Sequence, residues 1–525
     1  MKLNYKRVIF VGFAFFLITA FWQAYDTIVP KILTDKFGLP QAWSGAIMAL
    51  DNIFALVLLP VFGAISDKIN GKHGRRTPFI VIGAVVAAVL LVTLSVPDAM
   101  QRAKLEKVTA TEGQAYTEAL ETIWDENPTV LDFTTKEELD DKKPLQQLIT
   151  RQAFAAIPVT VEENGEKIPN PDYTDIVVPA RQAYAALVTE KDPSALILFM
   201  VLLLFTLVAM GTFRSPAVAL MPDVTVKPLR SKANAVINLM GTAGGMIVLV
   251  LGSVFGTGAT QNALMSYTVF FSTVAGLMLI ALALFLWRVR EVKWAAEMQE
   301  QSQRLGLDGS ASEQDRIAGE RRLSRSELTS LFLILASVVL WYMGYNAVTS
   351  KYAVYAGAVL DKDYNTTLLL ANAAAILAYL PVGFLSSRFG RKKMILSGVL
   401  MLGVAFLAAS FMDSSSPLMV MNLLFALAGI GWATINVNSY PMVVELSRGS
   451  NVGKYTGFYY TASMAAQVLT PVLSGILMDR FGMERVFFPY AAVFVAFSFI
   501  TMLFVRHGDA KPEAKRGIEA LDVED

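Results

Sequence analysis

The sequence predicts an all-α polytopic membrane protein. It has twelve transmembrane helices in two six-helix, pseudo-symmetric bundles and a long external insertion between helices three and four. Three observations carry this expectation. Of 525 residues, 54% are hydrophobic and only 17% charged, outside the range of ordinary soluble domains. The apolar residues gather into runs such as 80–97, 195–213 and 269–287, close to the roughly 20 residues that cross a bilayer. A short basic connection between two apolar runs, at 63–80, has a partial echo 320 residues later at 383–393, again between apolar runs. Lipid offers no hydrogen-bond partners, so such runs must be helices or strands of a closed barrel, and barrel strands would alternate polar with apolar residues. These runs do not alternate.

The first run, 8–30, is too long for a signal-peptide core and lacks a small-residue cleavage site, so it stands as the first helix. The rest of the first bundle is expected at 44–66, 78–97, 195–221, 232–254 and 265–288. The second bundle is expected at 328–348, 366–386, 394–412, 418–440, 455–478 and 486–505. Lys and Arg concentrate in alternate connections: Lys2, Lys6 and Arg7; Lys68 to Arg76; Lys227 to Lys232; Arg288 to Lys293; Arg388 to Lys393; Arg448 and Lys454. Positive residues mark the cytoplasmic side, so both termini are expected there, in a multi-pass cell membrane protein of the bacterial inner-membrane kind.

The domain division follows: 1–97 and 195–288 form the N-terminal bundle, and 328–505 the C-terminal bundle. Residues 98–194 form an external cap, 289–327 a cytoplasmic linker and 506–525 a cytoplasmic tail. The cap carries 19 acidic against 10 basic residues, nearly all the chain's excess negative charge. Helices are expected in it at 111–124 and 136–156, and a hairpin at 159–168 around an Asn-Gly turn. The linker is polar and reads as an amphipathic or loosely ordered helical segment. Cysteine is absent, which excludes disulfide and thiol chemistry. No Gly-rich loop followed by Lys-Ser/Thr occurs, so ATP is not the energy source. His73 and His507 are far apart, which argues against a metal or hydrolase site. The glycines Gly241, Gly244 and Gly245 read as close helix packing rather than nucleotide binding.

The basic connection contains Gly63, Asp67, Lys68, then Gly74, Arg75 and Arg76. This resembles the signature loop of the major facilitator superfamily. The second half keeps Gly383, Arg388, Gly390, Arg391 and Lys392 but has Ser387 where the acid would be. Four extra residues precede Gly74-Arg75-Arg76, which runs on into Thr77-Pro78-Phe79-Ile80. That form resembles the sucrose–proton symporters and, more distantly, the glycoside–pentoside–hexuronide cation symporters. Phe213-Arg214-Ser215-Pro216-Ala217, ending in Pro222-Asp223, is similar to the fourth helix of that group. The resemblance implies the major facilitator fold and a secondary transporter moving a sugar or glycoside with a proton by alternating access. It implies no enzyme activity.

Charges within the bilayer are costly unless paired or solvated, so each is a functional candidate. At about 1.5 Å per residue, Arg214 lies roughly 13 Å above the basic surface, Asp51 roughly 24 Å above it and Asp26 at a similar height. Asp51 or Asp26 is the candidate carboxylate for the coupling proton, and Arg214 the donor to substrate or the cation that keeps a carboxylate ionised. The offset of nine residues from Asp223 to Lys232 recurs from Glu445 to Lys454 and sets Asn436 opposite Arg214. Repeats of this kind place substrate at the midplane. Asn436, Trp432 and Asn438 thereby become candidate contacts, with Trp341, Tyr342, Tyr345 and Asn346 from helix seven and Gln467 from helix eleven. Aromatic faces and amides suit the apolar faces and hydroxyl rims of sugars. Interfacial anchoring and helix knitting are the plainer alternatives.

Asp223 and Glu445, with Arg230 and Arg448 nearby, join the signature residues as a cytoplasmic charge gate. The missing acid at Ser387 predicts unequal latches, the first half holding the stronger. No cofactor and no metal are expected, only a coupling ion, the proton. The expected partners are a small-molecule sugar and the lipid bilayer, with no nucleic acid, for a functional monomer. The alternatives are another small polar solute, coupled to proton or sodium and possibly exported, or a non-transporting sensor that uses the cap.

Overall fold

The computed structural model describes residues 3–69, 71–132, 142–163, 166–257, 262–305, 323–356, 360, 365–413, 415–447, 451–481 and 483–509. Among these, twelve helices are long and apolar enough to cross a membrane. Spans one to six are Tyr5–Lys36, Trp43–Lys68, Thr77–Lys104, Ser194–Asp223, Lys227–Val254 and Thr268–Arg288. Spans seven to twelve are Arg325–Tyr352, Thr367–Phe389, Arg391–Ala409, Leu418–Glu445, Val452–Met478 and Arg485–Leu503. Each overlaps its expected run. The largest difference is that span three does not stop at 97: its helix continues through Asp98 and Gln101, both fully buried, to Lys104.

Within the first half, span one packs along span five. Gly244 makes the approach close, since a Cβ there would lie 2.8 Å from the Phe16 carbonyl oxygen. The halves meet where span two lies along span eleven and where span five crosses spans eight and ten. A Cβ on Gly63 would overlap the Gly453 carbonyl, so these backbones touch. Higher up, Thr461 Oγ1 donates to the Leu56 carbonyl at 3.3 Å. Asn234 Nδ2 donates to the carbonyls of Asn436 and Val437 at 2.9 and 3.0 Å, and Tyr440 OH to Val218 O at 3.0 Å. Among the described residues, every side-chain hydrogen bond between the halves lies between the basic connections and the middle of the spans. The halves are therefore closed together on the basic-loop side.

The insertion has its own small core, including Leu120, Ile123, Leu145, Phe154, Tyr173 and Val177. The expected helix at 111–124 is present as Gly113–Glu126, ended by Asn127 in the left-handed region (φ 48°). The expected helix over 136–156 is not. Strand β1 (Thr129–Leu131) pairs antiparallel with β2 (Lys142–Pro144), and short helices Leu145–Leu148 and Arg151–Ala155 follow. Pro144 cannot donate a helical hydrogen bond, and extended Ile149 separates the two turns. Residues 136–141 of that expectation lie outside the described residues. The expected hairpin is seen as β3 (Thr160–Glu163) paired with β4 (Glu166–Pro169), its turn residues Asn164 and Gly165 lying outside the described residues.

The insertion docks on the first half. Helix Val178–Lys191 lies against the end of span one, where Gln182 Nε2 donates to Asp35 at 2.7 Å. Lys104 Nζ pairs with Asp192 at 2.7 Å, and its hydrogen bond, with those from Ser194, pulls the Asp192 carboxyl down to about 2. In the linker, helix Glu291–Arg304 is amphipathic as expected and packs Trp294 inward, while 306–322 lie outside the described residues.

Candidate functional site: a charge gate and a central Arg–carboxylate cluster

Two arginine-centred networks close the basic-loop side. In the first, buried Arg76 donates from Nε to Asp223 at 2.8 Å, from Nη2 to Asp67 at 2.5 Å, and from Nη1 to Ser66. Burial disfavours its charge, but Asp223 and Asp67 outweigh that and hold the guanidinium pKa above the ordinary arginine value. Arg75 reaches Asp223 at 3.4 Å. Asp67 also accepts the backbone amides of Gly453 and Lys454, both at 2.9 Å, so the first-half carboxylate grips the start of span eleven.

The second network mirrors it. Buried Arg391 donates to Glu445 at 2.9 Å and crosses to the first half, to Ser231 Oγ at 3.1 Å and to the Lys227 carbonyl. Arg230 and Lys227, also of the first half, reach Glu445 at 3.6 and 3.7 Å. Arg230, expected near Asp223, reaches across the interface to Glu445. The two networks are unequal: Arg76 meets two carboxylates, Asp67 and Asp223, whereas Arg391 meets one, Glu445, the counterpart of Asp223, and Ser387 leaves the place of Asp67 without an acid. Lys68 and Arg388 are solvent-exposed and stand outside both networks, as helix-end side chains turned from the seam. Arg448 lies outside the described residues.

Gly74 and Gly390 occupy φ values of 97° and 87°, and each precedes a helix whose first amides meet a carboxylate. Sequence reasoning missed both carboxylates. Glu291, nearly buried, accepts from the amides of Arg75, Arg76 and Thr77 at 2.7–2.9 Å and from Thr77 Oγ1 at 2.7 Å. Asp509 accepts from the Arg391 amide at 2.7 Å. A carboxylate at a helix N-terminus satisfies orphan donors and the helix dipole. The available signal was position: each follows the sixth span of its half.

At the centre, Arg214 and Asp51 line one cavity of about 10 Å³ with Trp22, Leu59 and Gly211. Arg214 lies 5.4 Å from the Trp22 ring and 5.1 Å from the ring of Tyr460, in span eleven. Among the described residues its guanidinium makes no ion pair within 4.0 Å. Asp51 Oδ1 is buried without a hydrogen-bond partner. Asp26, in the second half of span one, is exposed, yet it and Asp51 lie within electrostatic range of Arg214 and of each other, so Asp26 faces the cleft inside the bundle rather than lipid. The three charges singled out from the sequence are thus brought together.

The second-half candidates divide. Tyr345 stacks on Trp432 with centroids 3.6 Å apart and 2° between planes, and Tyr342 meets Trp432 edge-on at 5.0 Å. All three are half-buried, and Tyr342 lies within electrostatic range of Arg214. Tyr379 of span eight, not anticipated, lies within range of Tyr345 and Tyr459. Trp341 and Asn438, by contrast, are fully buried in packing and do not line the cleft. Helical rotation decides this: residues adjacent to Tyr342, or six beyond Trp432, fall on the bundle's core side. Asn436 is half-buried, donating to the Trp432 carbonyl at 3.2 Å while its own carbonyl receives Asn234. Asn346 Nδ2 is buried and unpartnered, and Gln467 Nε2 contacts Met464 sulfur at 3.4 Å.

Sequence reasoning also missed Lys36 and Asp98, a wholly buried ion pair joining spans one and three. Lys36 also donates to the Met265 carbonyl at 2.7 Å and lies 4.5 Å from the Tyr267 ring. Lys36 sits past the apolar run of span one, and Asp98 just past that of span three, so neither stood out as a membrane charge. Among the described residues no three His, Cys, Asp or Glu groups gather as metal ligands would.

Residues 180–378 and 362–523, together more than half of the chain, match the Major Facilitator Superfamily, and residues 10–111 match MFS/sugar transport protein. The chain is 32% identical over 95 residues to the uncharacterized symporter YjmB of Bacillus subtilis, covering 18% of this chain and 21% of that protein. It is 36% identical over 59 residues to the sucrose transport protein SUC4 of Arabidopsis thaliana, covering 11% and 12%. It is 28% identical over 85 residues to the putative glycoside/cation symporter YagG of Escherichia coli, covering 16% and 18%. Each match thus spans about a fifth or less of the relative's length. Among solved structures, the proton:xylose symporter XylE bound to 6-bromo-6-deoxy-D-glucose superposes with a TM-score of 0.56 at 13% identity, over 96% of both chains. FucP in the outward conformation superposes at 0.55 and 12% identity, over 95% and 98%. At such identities the likeness is one of fold.

Proposed function

The chain belongs to the Major Facilitator Superfamily, and from that premise we propose that it carries a sugar or glycoside together with a proton by alternating access. The observation that supports this reading is the cluster at the junction of the halves. Arg214 and Asp51 share one cavity in the first half, and across from them stand Tyr460 and the Tyr342–Tyr345–Trp432 shelf of the second. Aromatic faces receive the apolar faces of a sugar ring, while Arg214 donates to its hydroxyls. Asp51, with Asp26 nearby in the cleft, takes the proton. A carboxylate that binds a proton on one side and meets a guanidinium on the other is a means of coupling the two fluxes. The Arg76 and Arg391 networks hold the basic-loop side shut until substrate and proton are bound, and rocking of the halves then exchanges access.

In the cell membrane the basic loops face the cytoplasm, so the arrangement described above is the one that loads from outside. The sucrose transport protein and the glycoside/cation symporter among the relatives agree with this cargo class. No bound cofactor takes part, and the chain works as a monomer.

Uptake of labelled mono- and disaccharides into proteoliposomes under an imposed pH gradient tests the reading. Gradient-driven accumulation of a sugar is expected, with Asp51→Asn abolishing uphill accumulation while exchange survives. No accumulation of any sugar, with or without the gradient, sinks the proposal.

A further inference from the structure

Arg214 and Asp51 carry opposite charges and line the same cavity, yet they do not touch. The cavity holds about 10 Å³, room for about one water molecule. Asp51 Oδ1 is buried with no partner, and Arg214 has no carboxylate within 4.0 Å among the described residues. Opposite charges this close in a low-dielectric setting attract strongly, so another interaction holds them apart. The guanidinium carbon stands 5.4 Å from the Trp22 ring and 5.1 Å from the Tyr460 ring, both within the roughly 6 Å at which a ring face attracts a cation. Trp22 belongs to span one, in the same half as Arg214 and Asp51. Tyr460 belongs to span eleven, in the other half.

We propose that Tyr460, backed by Trp22, is a positioning residue: while the halves are closed on the basic-loop side, its ring parks Arg214 away from Asp51. The inference rests on reading Asp51 as the proton carrier. With Arg214 parked, Asp51 has no contact ion pair with it and accepts a proton. When rocking withdraws span eleven, Tyr460 leaves with it. Arg214 then pairs with Asp51, and the O–H bond of Asp51 breaks in favour of the ion pair, its proton passing to water on the opposite side. Only a residue of the opposite half can report the rocking to Arg214, and Tyr460 is the ring that does so. The titratable groups around this pair are Tyr25 and Asp26 of span one, Tyr342 of span seven, and Tyr459 beside Tyr460. Of these only Asp26 is a second carboxylate, so the experiment must tell it from Asp51.

The test needs no sugar. Full-length protein in lipid nanodiscs is titrated while the carboxylic acid C=O stretch is followed by infrared difference spectroscopy, with Asp51→Asn identifying the Asp51 band. Wild type and Tyr460→Phe, which keeps the ring, are expected to titrate together. Tyr460→Leu frees Arg214 to pair with Asp51 and is expected to move the band's midpoint at least one pH unit lower, a tenfold weaker proton affinity. Wild-type titration in Tyr460→Leu overturns the inference, as does a Phe variant shifted as far as Leu. Should Tyr460→Leu fail to melt cooperatively, Trp22→Leu is read in its place under the same criteria. A band unaffected by Asp51→Asn overturns the proton-carrier reading and this inference with it. A band lost in Asp51→Asn but unmoved in the ring variants overturns only the positioning role.

Discussion

The carboxylate of Asp67, at the end of span two, accepts the backbone amide of Gly453, at the start of span eleven, at 2.9 Å. The same oxygen receives Arg76 Nη2 at 2.5 Å. One side chain therefore ties the signature loop of the first half to the backbone of the second, while Arg76, of its own half, neutralises its charge. Asp67→Asn keeps an acceptor but leaves buried Arg76 with one counter-charge fewer, a loss of about 1–3 kcal/mol against the closed arrangement. A thiol introduced as Ser215→Cys, in a chain with no native cysteine, reports it, because Ser215 is buried against the Gly453 carbonyl. Labelling should rise about tenfold in Asp67→Asn, and an unchanged rate would count against the latch.

The Gly63–Gly453 contact makes a second prediction. A Cβ on Gly453 would lie 2.6 Å from Arg76 Nη1 and 2.9 Å from Asp67 Oδ1, and one on Gly63 would overlap the Gly453 carbonyl. Gly453→Ala should leave each half folded while preventing closure on this side. Spin labels on spans two and eleven should show a longer distance than in wild type, with transport strongly reduced. Wild-type distances would remove the steric argument.

A third concerns Lys36 and Asp98, both fully buried. Lys36→Met strands an uncompensated carboxylate, and breaking such a pair costs about 3–5 kcal/mol. Thermal unfolding in detergent should fall markedly in the single variant. Lys36→Met combined with Asp98→Leu should regain most of the loss, since an apolar pair no longer needs compensation. Additive losses in the double variant would refute this account of the pair.

The insertion packs on the end of span one through the Gln182–Asp35 hydrogen bond and on the end of span three through Lys104 and Asp192. All of these contacts are within the first half, so the insertion is expected to rock with it. Cysteines at positions 35 and 182, joined by a short bifunctional thiosulfonate, should leave transport largely unchanged. Loss of transport on crosslinking would mean that the insertion moves against span one.

The sequence by itself determined the spans and the charges worth attention. Long apolar runs interrupted by basic connections leave a chain in lipid one solution, helices with their backbone bonds satisfied internally, and each of the twelve expected runs overlaps a span. Asp26, Asp51 and Arg214 stood out for the same reason, as charges where lipid should be. Which way a helix turns is a tertiary matter. Trp341 and Tyr342 are neighbours in sequence, yet one is core and the other half-buried near Arg214. Partners distant in the chain were equally illegible: Glu291 under the Arg75–Thr77 amides, Arg230 reaching Glu445, Lys36 on Asp98. Local pattern registers how much apolar surface a helix must hide, whereas the packing of one half against the other decides which polar atoms meet. The insertion shows the same division, since Pro144 alone argued against the helix expected through it, and pairing with Thr129 across the sheet decided for a strand. The signature loop pointed to charge pairs at the inner helix ends, but only the fold shows that Asp67 accepts the backbone amide of Gly453 across the seam.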